Sequence, residues 1–159
     1  MKTLLLGLGN DLLSDDGIGL RVAAALRERL AHQKDLIIVE TAEMGLSLLD
    51  LVTGFDALVM VDAIQTRKAD PGFIHELDGG NLHSLPAVSP HFLGVGEVLA
   101  LGHRLGLAVP DEVLIFAIEV QDPFTVGTRL TPPLAAAFPG VVERIALRLD
   151  ENRFRPLIS

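Results

Sequence analysis

Residues 4–19 read LLLGLGNDLLSDDGIG. The apolar run Leu4–Leu6 breaks at Gly7-Leu8-Gly9-Asn10, passes through a short loop, and ends in two adjacent carboxylates, Asp15 and Asp16. A helix begins at Gly17. This pattern reads as a buried strand, a turn and the first turn of a helix, with acids where the chain leaves the sheet. In open α/β folds, ligands bind outside the carboxyl ends of the strands.

Working outward, Ile18, Val22, Leu26 and Leu30 recur at steps of four and predict an amphipathic helix over about residues 17–31. Leu36–Val39 reads as a second buried strand, Gly45–Val52 as a short apolar helix, and Ala57–Val61 as a third strand ending on Asp62. Strands that are continuously apolar and separated by helices indicate a parallel sheet covered on both faces. Phe73–Leu77 alternates instead and follows the third strand with only Gln65–Gly72 between them. That link is too short for a parallel crossover, so this strand is expected to be antiparallel and at an edge. Residues 79–90 form a loop rich in Gly, Asn, Ser and Pro. A helix over Leu93–Leu105, a strand over Val113–Val120, a loop over Asp122–Pro133 and a last helix over Leu134–Leu149 complete the chain. Pro139-Gly140 should kink that helix or mark its true start. The expectation is one domain over residues 1–159, a three-layer α/β/α sandwich whose mostly parallel twisted sheet carries one antiparallel edge strand.

Composition narrows the function. With 21 acidic and 13 basic residues, the net charge is −8, and no basic run offers a footing for a phosphate backbone. No nucleic-acid partner is expected. The absence of cysteine removes disulfides, thiolate catalysis and Cys-built zinc sites together. No apolar stretch approaches the ~20 residues that span a bilayer, and the short N-terminal apolar run reads as a strand rather than a signal peptide. The expectation is a cytoplasmic protein with no membrane partner.

Gly7-Leu8-Gly9 suggests a dinucleotide fingerprint, but Leu12 stands where its third glycine belongs, and acids at the helix mouth would repel a pyrophosphate. No GK[ST] follows a glycine-rich loop, and Gly45-Leu46-Ser47-Leu48-Leu49 lacks the second glycine of a nucleophile elbow. The carboxylates carry more. Asp15 suits a cap on the following helix, and Asp16 could simply be solvated. Asp62 follows five apolar residues at the mouth of a buried strand, where an unpaired carboxylate costs several kcal/mol. A salt bridge to Arg67 or Lys68 is its ordinary explanation. His91 stands after Ser89-Pro90, before the third helix. If the strand order is 2-1-3, Asp16 and Asp62 flank one crevice and His91 can reach it. Two carboxylates and an imidazole make an open, borderline-hard metal site acceptable to Ni, Zn or Mn.

The runs GLGNDLLSDDGIG, VMVDAI around Asp62 and SPHFLG around His91 closely resemble the hydrogenase maturation endopeptidases, as does the VETAEMGLSLL segment. The resemblance covers essentially the whole chain. It implies an endopeptidase that clips a C-terminal extension from the precursor of the [NiFe]-hydrogenase large subunit after nickel insertion. It places Asp16, Asp62 and His91 at the nickel-contacting positions, with His83 as the alternative to His91. Asp16 and Asp62 are the expected catalytic carboxylates, and nickel arrives with the substrate, a free ion being held weakly. Gly9 and Asn10 serve the strand exit or the substrate backbone, and Gly45 would let the substrate peptide approach closely. Glu119 and Asp122 could line the cleft but need no special reason in an acidic chain. His75 has no assigned role, and a monomer is expected. The rival is a non-catalytic metal-sensing chaperone or docking factor. A nucleotide-binding domain and a free-standing metallohydrolase are weaker alternatives.

Overall fold

The structure, a computed structural model, describes residues 1–79 and 94–151. In chain order it contains β1 (Thr3–Leu8), a 3-10 turn (Ser14–Gly17), α1 (Ile18–Arg29), β2 (Leu36–Thr41) and a second 3-10 turn (Gly45–Ser47). These are followed by α2 (Leu48–Val52), β3 (Ala57–Ile64), β4 (Ile74–Asp78), α3 (Val95–Arg104), β5 (Glu112–Glu119) and α4 (Pro132–Glu151). The strands lie in the order β2-β1-β3-β5-β4. The first four are parallel and β4 runs antiparallel to β5 at the edge, as its short link to β3 requires.

Strand alternation divides the core between two faces. Leu5, Val59, Val61, Phe116 and Ile118 pack under α1 and α4, against Val22, Leu26, Val141 and Ile145. Leu4, Leu6, Leu58, Met60 and Ile115 pack on the opposite face under α2 and α3, against Leu48, Val52, Val95 and Leu99. Helices on both faces make the expected three-layer sandwich. Because α1 lies on one face and α2 on the other, the chain reverses its winding between β1 and β3. Their carboxyl ends therefore open a crevice. Among the described residues, no helix is long and apolar enough to cross a membrane.

The approach of α1 to the sheet depends on two glycines. A Cβ on Gly7 would lie 2.5 Å from the Gly19 carbonyl oxygen and from Ala23 Cβ. One on Gly19 would lie 2.3 Å from the carbonyls of both Leu8 and Val61. Gly19 thus gives the close helix–strand packing that a dinucleotide fold assigns to a glycine near Leu12. It stands later in the chain because a loop and a 3-10 turn intervene before α1.

Three expectations need correction. β3 does not end at Asp62 but continues through Ile64, with Asp62 paired to Ala117, Ala63 to Ile118 and Ile64 to Glu119. Ala63 and Ile64 are as apolar as the run before the acid, so the ladder has no reason to stop there. The Asp15 carboxylate makes no cap bond to the turn or helix that follows it. Pro139 does not start the last helix, which runs from Pro132 to Glu151 with Pro139 inside it. Pro132 occupies the first turn, where a missing N–H is harmless, and Ala135 N–H donates to Thr131 O at 2.9 Å. Leu134, Val141, Val142, Ile145, Ala146 and Leu149 are all buried along the helix, and their combined burial outweighs the one helical hydrogen bond that Pro139 removes.

Candidate functional site

The carboxyl edge of the sheet is framed by carboxylates, and each has a distinct role. Asp15 has no exposed surface. Its Oδ2 accepts the N–H groups of Gln121 (3.0 Å) and Asp122 (2.9 Å) and the Thr131 hydroxyl (2.8 Å), while Oδ1 accepts Thr131 N–H at 2.7 Å. Thr131 stands immediately before α4. Asp15 therefore places its charge at the positive end of α4, not of α1, and ties the β5–α4 loop to the β1–α1 loop. Backbone bonds finish the connection: Ser14 N–H to Gly127 O (2.8 Å), Asp15 N–H to Asp122 O (3.0 Å) and Gly127 N–H to Leu12 O (2.9 Å). The Ser14 hydroxyl donates to Arg129 O at 3.0 Å, and Ser14 is held at a positive φ of 32°. A non-glycine residue in that region costs energy and persists only where its surroundings over-determine it.

This frame presents Asp16, which is 8% exposed. Its Oδ2 accepts Asn10 N–H at 2.9 Å, and Asn10 Oδ1 in turn accepts Leu12 N–H at 3.0 Å. Gly9, with φ +149°, lies so close to the turn that a Cβ would fall 2.2 Å from Asp16 O. Gly9 and Asn10 thus seat the Asp16 backbone and side chain directly. Gly45 opens the 3-10 turn that follows β2 in a left-handed conformation, with nothing among the described residues within 4 Å of a Cβ placed there.

Asp62 has no exposed surface, and its Oδ1 accepts Ala63 N–H at 2.8 Å. It lies one residue beyond the Gly7–Val61 pair, and β3 packs directly against the turn that carries Asp16. By alternation it shares the face of Met60 and Ile64, the face on which α3 packs. Burying this carboxylate costs several kcal/mol, and burial of Leu58, Val59, Met60, Val61 and Ile64 on the same strand, about 2 kcal/mol each, offsets it. Arg67 and Lys68, its expected salt-bridge partners, are exposed, and neither is paired with it among the described ion pairs.

A fourth buried acid, for which the sequence gives no special reason, has a structural role. Glu119 ends β5 with 1% of its surface exposed. It accepts Thr66 N–H (2.8 Å), the Thr66 hydroxyl, Arg67 N–H (3.3 Å) and His75 Nε2 (3.0 Å), the His75 ring meeting Phe73 edge-on. Burial pushes the Glu119 carboxyl up, but hydrogen bonds from Thr66, His75 and Arg67 outweigh it and hold it below the usual range. Glu119 thereby fixes the loop that follows the Asp62 strand. The signal was present: Glu119 closes a buried apolar run just as Asp62 interrupts one. Asp122, by contrast, organises its own turn. The Thr125 hydroxyl and the N–H groups of Phe124 and Thr125 donate to it and hold its carboxyl below the ordinary value.

The structure therefore brings Asp16 and Asp62 to the carboxyl ends of adjacent strands. His91 and the alternative His83 lie outside the described residues. Among the described residues, no three His, Asp or Glu side chains form a metal-binding group.

Comparison with known proteins bears on this arrangement. A family model described as HycI, hydrogenase maturation protease, matches residues 20–147. The chain is 29% identical over 154 residues to the hydrogenase 2 maturation protease of Escherichia coli K12, an alignment that covers 96% of this chain and 93% of that one. Among solved structures, the hydrogenase maturating endopeptidase HybD from E. coli is similar, with a TM-score of 0.76, 28% identity, and coverage of 95% of this chain and 93% of that one. The [NiFe] hydrogenase maturation protease HybD from Thermococcus kodakarensis is similar with a TM-score of 0.68, 29% identity, and coverage of 94% and 99%.

Proposed function

The chain belongs to the hydrogenase maturation proteases, and from that premise we propose that it removes the C-terminal extension of a nickel-loaded [NiFe]-hydrogenase large-subunit precursor, in the cytoplasm. The observation that carries this reading is the pair of buried carboxylates, Asp16 and Asp62, at the crevice between β1 and β3. A crevice lined by two acids in a chain of net charge −8 attracts a cationic centre and repels anions. The nickel is part of the substrate. Already held by ligands of the precursor, it gains Asp16 and Asp62 as oxygen ligands and His91 as a nitrogen ligand, which seats the tail in the crevice. A precursor without nickel lacks the group that these residues recognise, so metal loading gates processing.

For the chemistry, a carboxylate of the pair takes the proton from the attacking water, and general-base assistance of this kind contributes about 10²–10⁴-fold. The bound cation would polarise the scissile carbonyl. Gly45, which opens the turn after β2, meets no described residue and so leaves room for the extended tail.

The test is direct: the protein is incubated with nickel-loaded and nickel-free precursor, and the large subunit is weighed by mass spectrometry. This reading expects a shortened C-terminus only in the nickel-loaded sample. Tight association with the loaded precursor without any loss of mass would favour the metal-sensing chaperone instead.

A further inference from the structure

We infer that the linked tips of the 10–13 and 121–127 loops form an apolar arm that seats an apolar segment of the protein substrate beside Asp16. The inference rests on the proposed function for the identity of that substrate and deepens it by naming a docking surface. Leu12 is 60% exposed, Phe124 60% and Val126 82%. The three project from loops that hydrogen bonds hold in place. Leu13 and Gly127 form a parallel bridge, which puts the preceding residues, Leu12 and Val126, side by side on one face. Phe124 N–H and Thr125 N–H both donate to Asp122 Oδ1, so the Phe124 backbone is fixed by its own turn. Asp15 anchors the base of the arm to the start of α4 through Gln121, Asp122 and Thr131.

Large apolar side chains held in water on a braced loop mark an interaction site, and a braced loop loses little conformational freedom when it binds. Side chains as exposed as Val126 stand proud of the surface and suit a macromolecule better than a small ligand. Charge decides between a second copy of this chain and a different protein. A symmetric pair meeting through these tips would bring two sets of Asp11 and Asp16 together across the contact axis. A partner whose apolar segment flanks a cationic metal centre meets the same acids favourably.

The experiment compares the wild-type protein, F124D/V126D, L12S and L105D on nickel-loaded large-subunit precursor. Processing kinetics come from mass spectrometry, binding from surface plasmon resonance, and oligomeric state from sedimentation of each protein alone. Leu105 is 62% exposed but lies at the opposite edge of the sheet, so L105D controls for the loss of exposed apolar surface. The expected result is a KM raised about tenfold for F124D/V126D, a smaller rise for L12S, kcat within about twofold of wild type, and no change for L105D. Unchanged KM in both arm variants, with wild type active, overturns the inference and leaves the proposed function standing. So does a wild-type dimer that F124D/V126D converts to monomer without altering KM, because the arm would then serve self-association. If wild type does not process the precursor, the proposed function fails, and binding decides the arm separately. Weakened binding by F124D/V126D supports the arm, and equal binding refutes it.

Discussion

The two edges of this sheet close their loops by different means. At the amino edge the backbone closes them: Asp56 N–H and Ala57 N–H donate to Lys2 O at 2.8 and 3.3 Å, Gly54 N–H to Ala108 O at 2.7 Å, and Asp111 N–H to Asp56 O at 3.2 Å. At the carboxyl edge, buried carboxylates take over this work. Asp15 and Glu119 each accept four hydrogen bonds from the described residues, and each ties down a loop beside Asp16 or Asp62. Of the buried polar residues described, Ser14, Asp15, Asp16, Asp62 and Glu119 lie at the carboxyl edge, and Thr3 lies at the other. Among the described residues, both non-glycine residues with positive φ, Ser14 and Arg67, belong to its loops. Desolvated charge and backbone strain at one end of a sheet, against an orderly other end, are the mark of a site whose geometry matters more than its stability.

Substitutions can break this contrast. The largest effect is expected at the acids assigned to the substrate metal: Asp16→Ala or Asp62→Ala should lower processing about a hundredfold or more. Circular dichroism should still report the wild-type fold, and normal processing by either variant would remove that residue from the reaction. Asp15→Ala, one residue away, should behave in the opposite sense. It leaves Gln121 N–H, Asp122 N–H and both Thr131 donors without their acceptor, a loss of about 3 kcal/mol in urea unfolding. If Asp15→Ala proves as stable as wild type, the frame is not built as described.

Glu119→Gln should cost less, about 2 kcal/mol near neutral pH, because an amide accepts through one oxygen only. Its pH signature is more telling. Folding holds the Glu119 carboxyl below its ordinary value of 4.5, so its contribution is complete above that value and fades as pH falls through the lower folded-state value. Between about pH 6 and pH 3 the wild type should therefore lose more stability than Glu119→Gln, and parallel unfolding curves would contradict that assignment. At the amino edge, Leu105→Asp should change stability by less than about 0.5 kcal/mol, as expected for an exposed side chain outside any network.

The sequence disclosed the fold where one physical signal dominated. The continuous apolar runs of β1 and β3 revealed a parallel, doubly covered sheet, and the short link before β4 revealed its reversed direction. It was misleading where two signals competed. Asp15 precedes a helix and looked like its cap, but its partners lie more than a hundred residues away, and no local pattern points to them. Asp62 resembles a strand end because a carboxylate interrupts the apolar run, whereas the ladder to β5 carries the strand past it. Pro139 resembles a helix boundary because proline removes a helical hydrogen bond, but the buried face on both sides of it keeps the helix continuous. Glu119 and His75 are 44 residues apart, and only the antiparallel pairing of β4 with β5 brings them together.

The central claim is that Asp16 and Asp62 are two ligands of one cation site at the β1–β3 crevice. A crystal soaked in a high concentration of nickel tests it most directly. The account predicts anomalous density between the two carboxylates, with His91 as the nitrogen ligand. Nickel bound elsewhere on the surface, with none between Asp16 and Asp62, would contradict it.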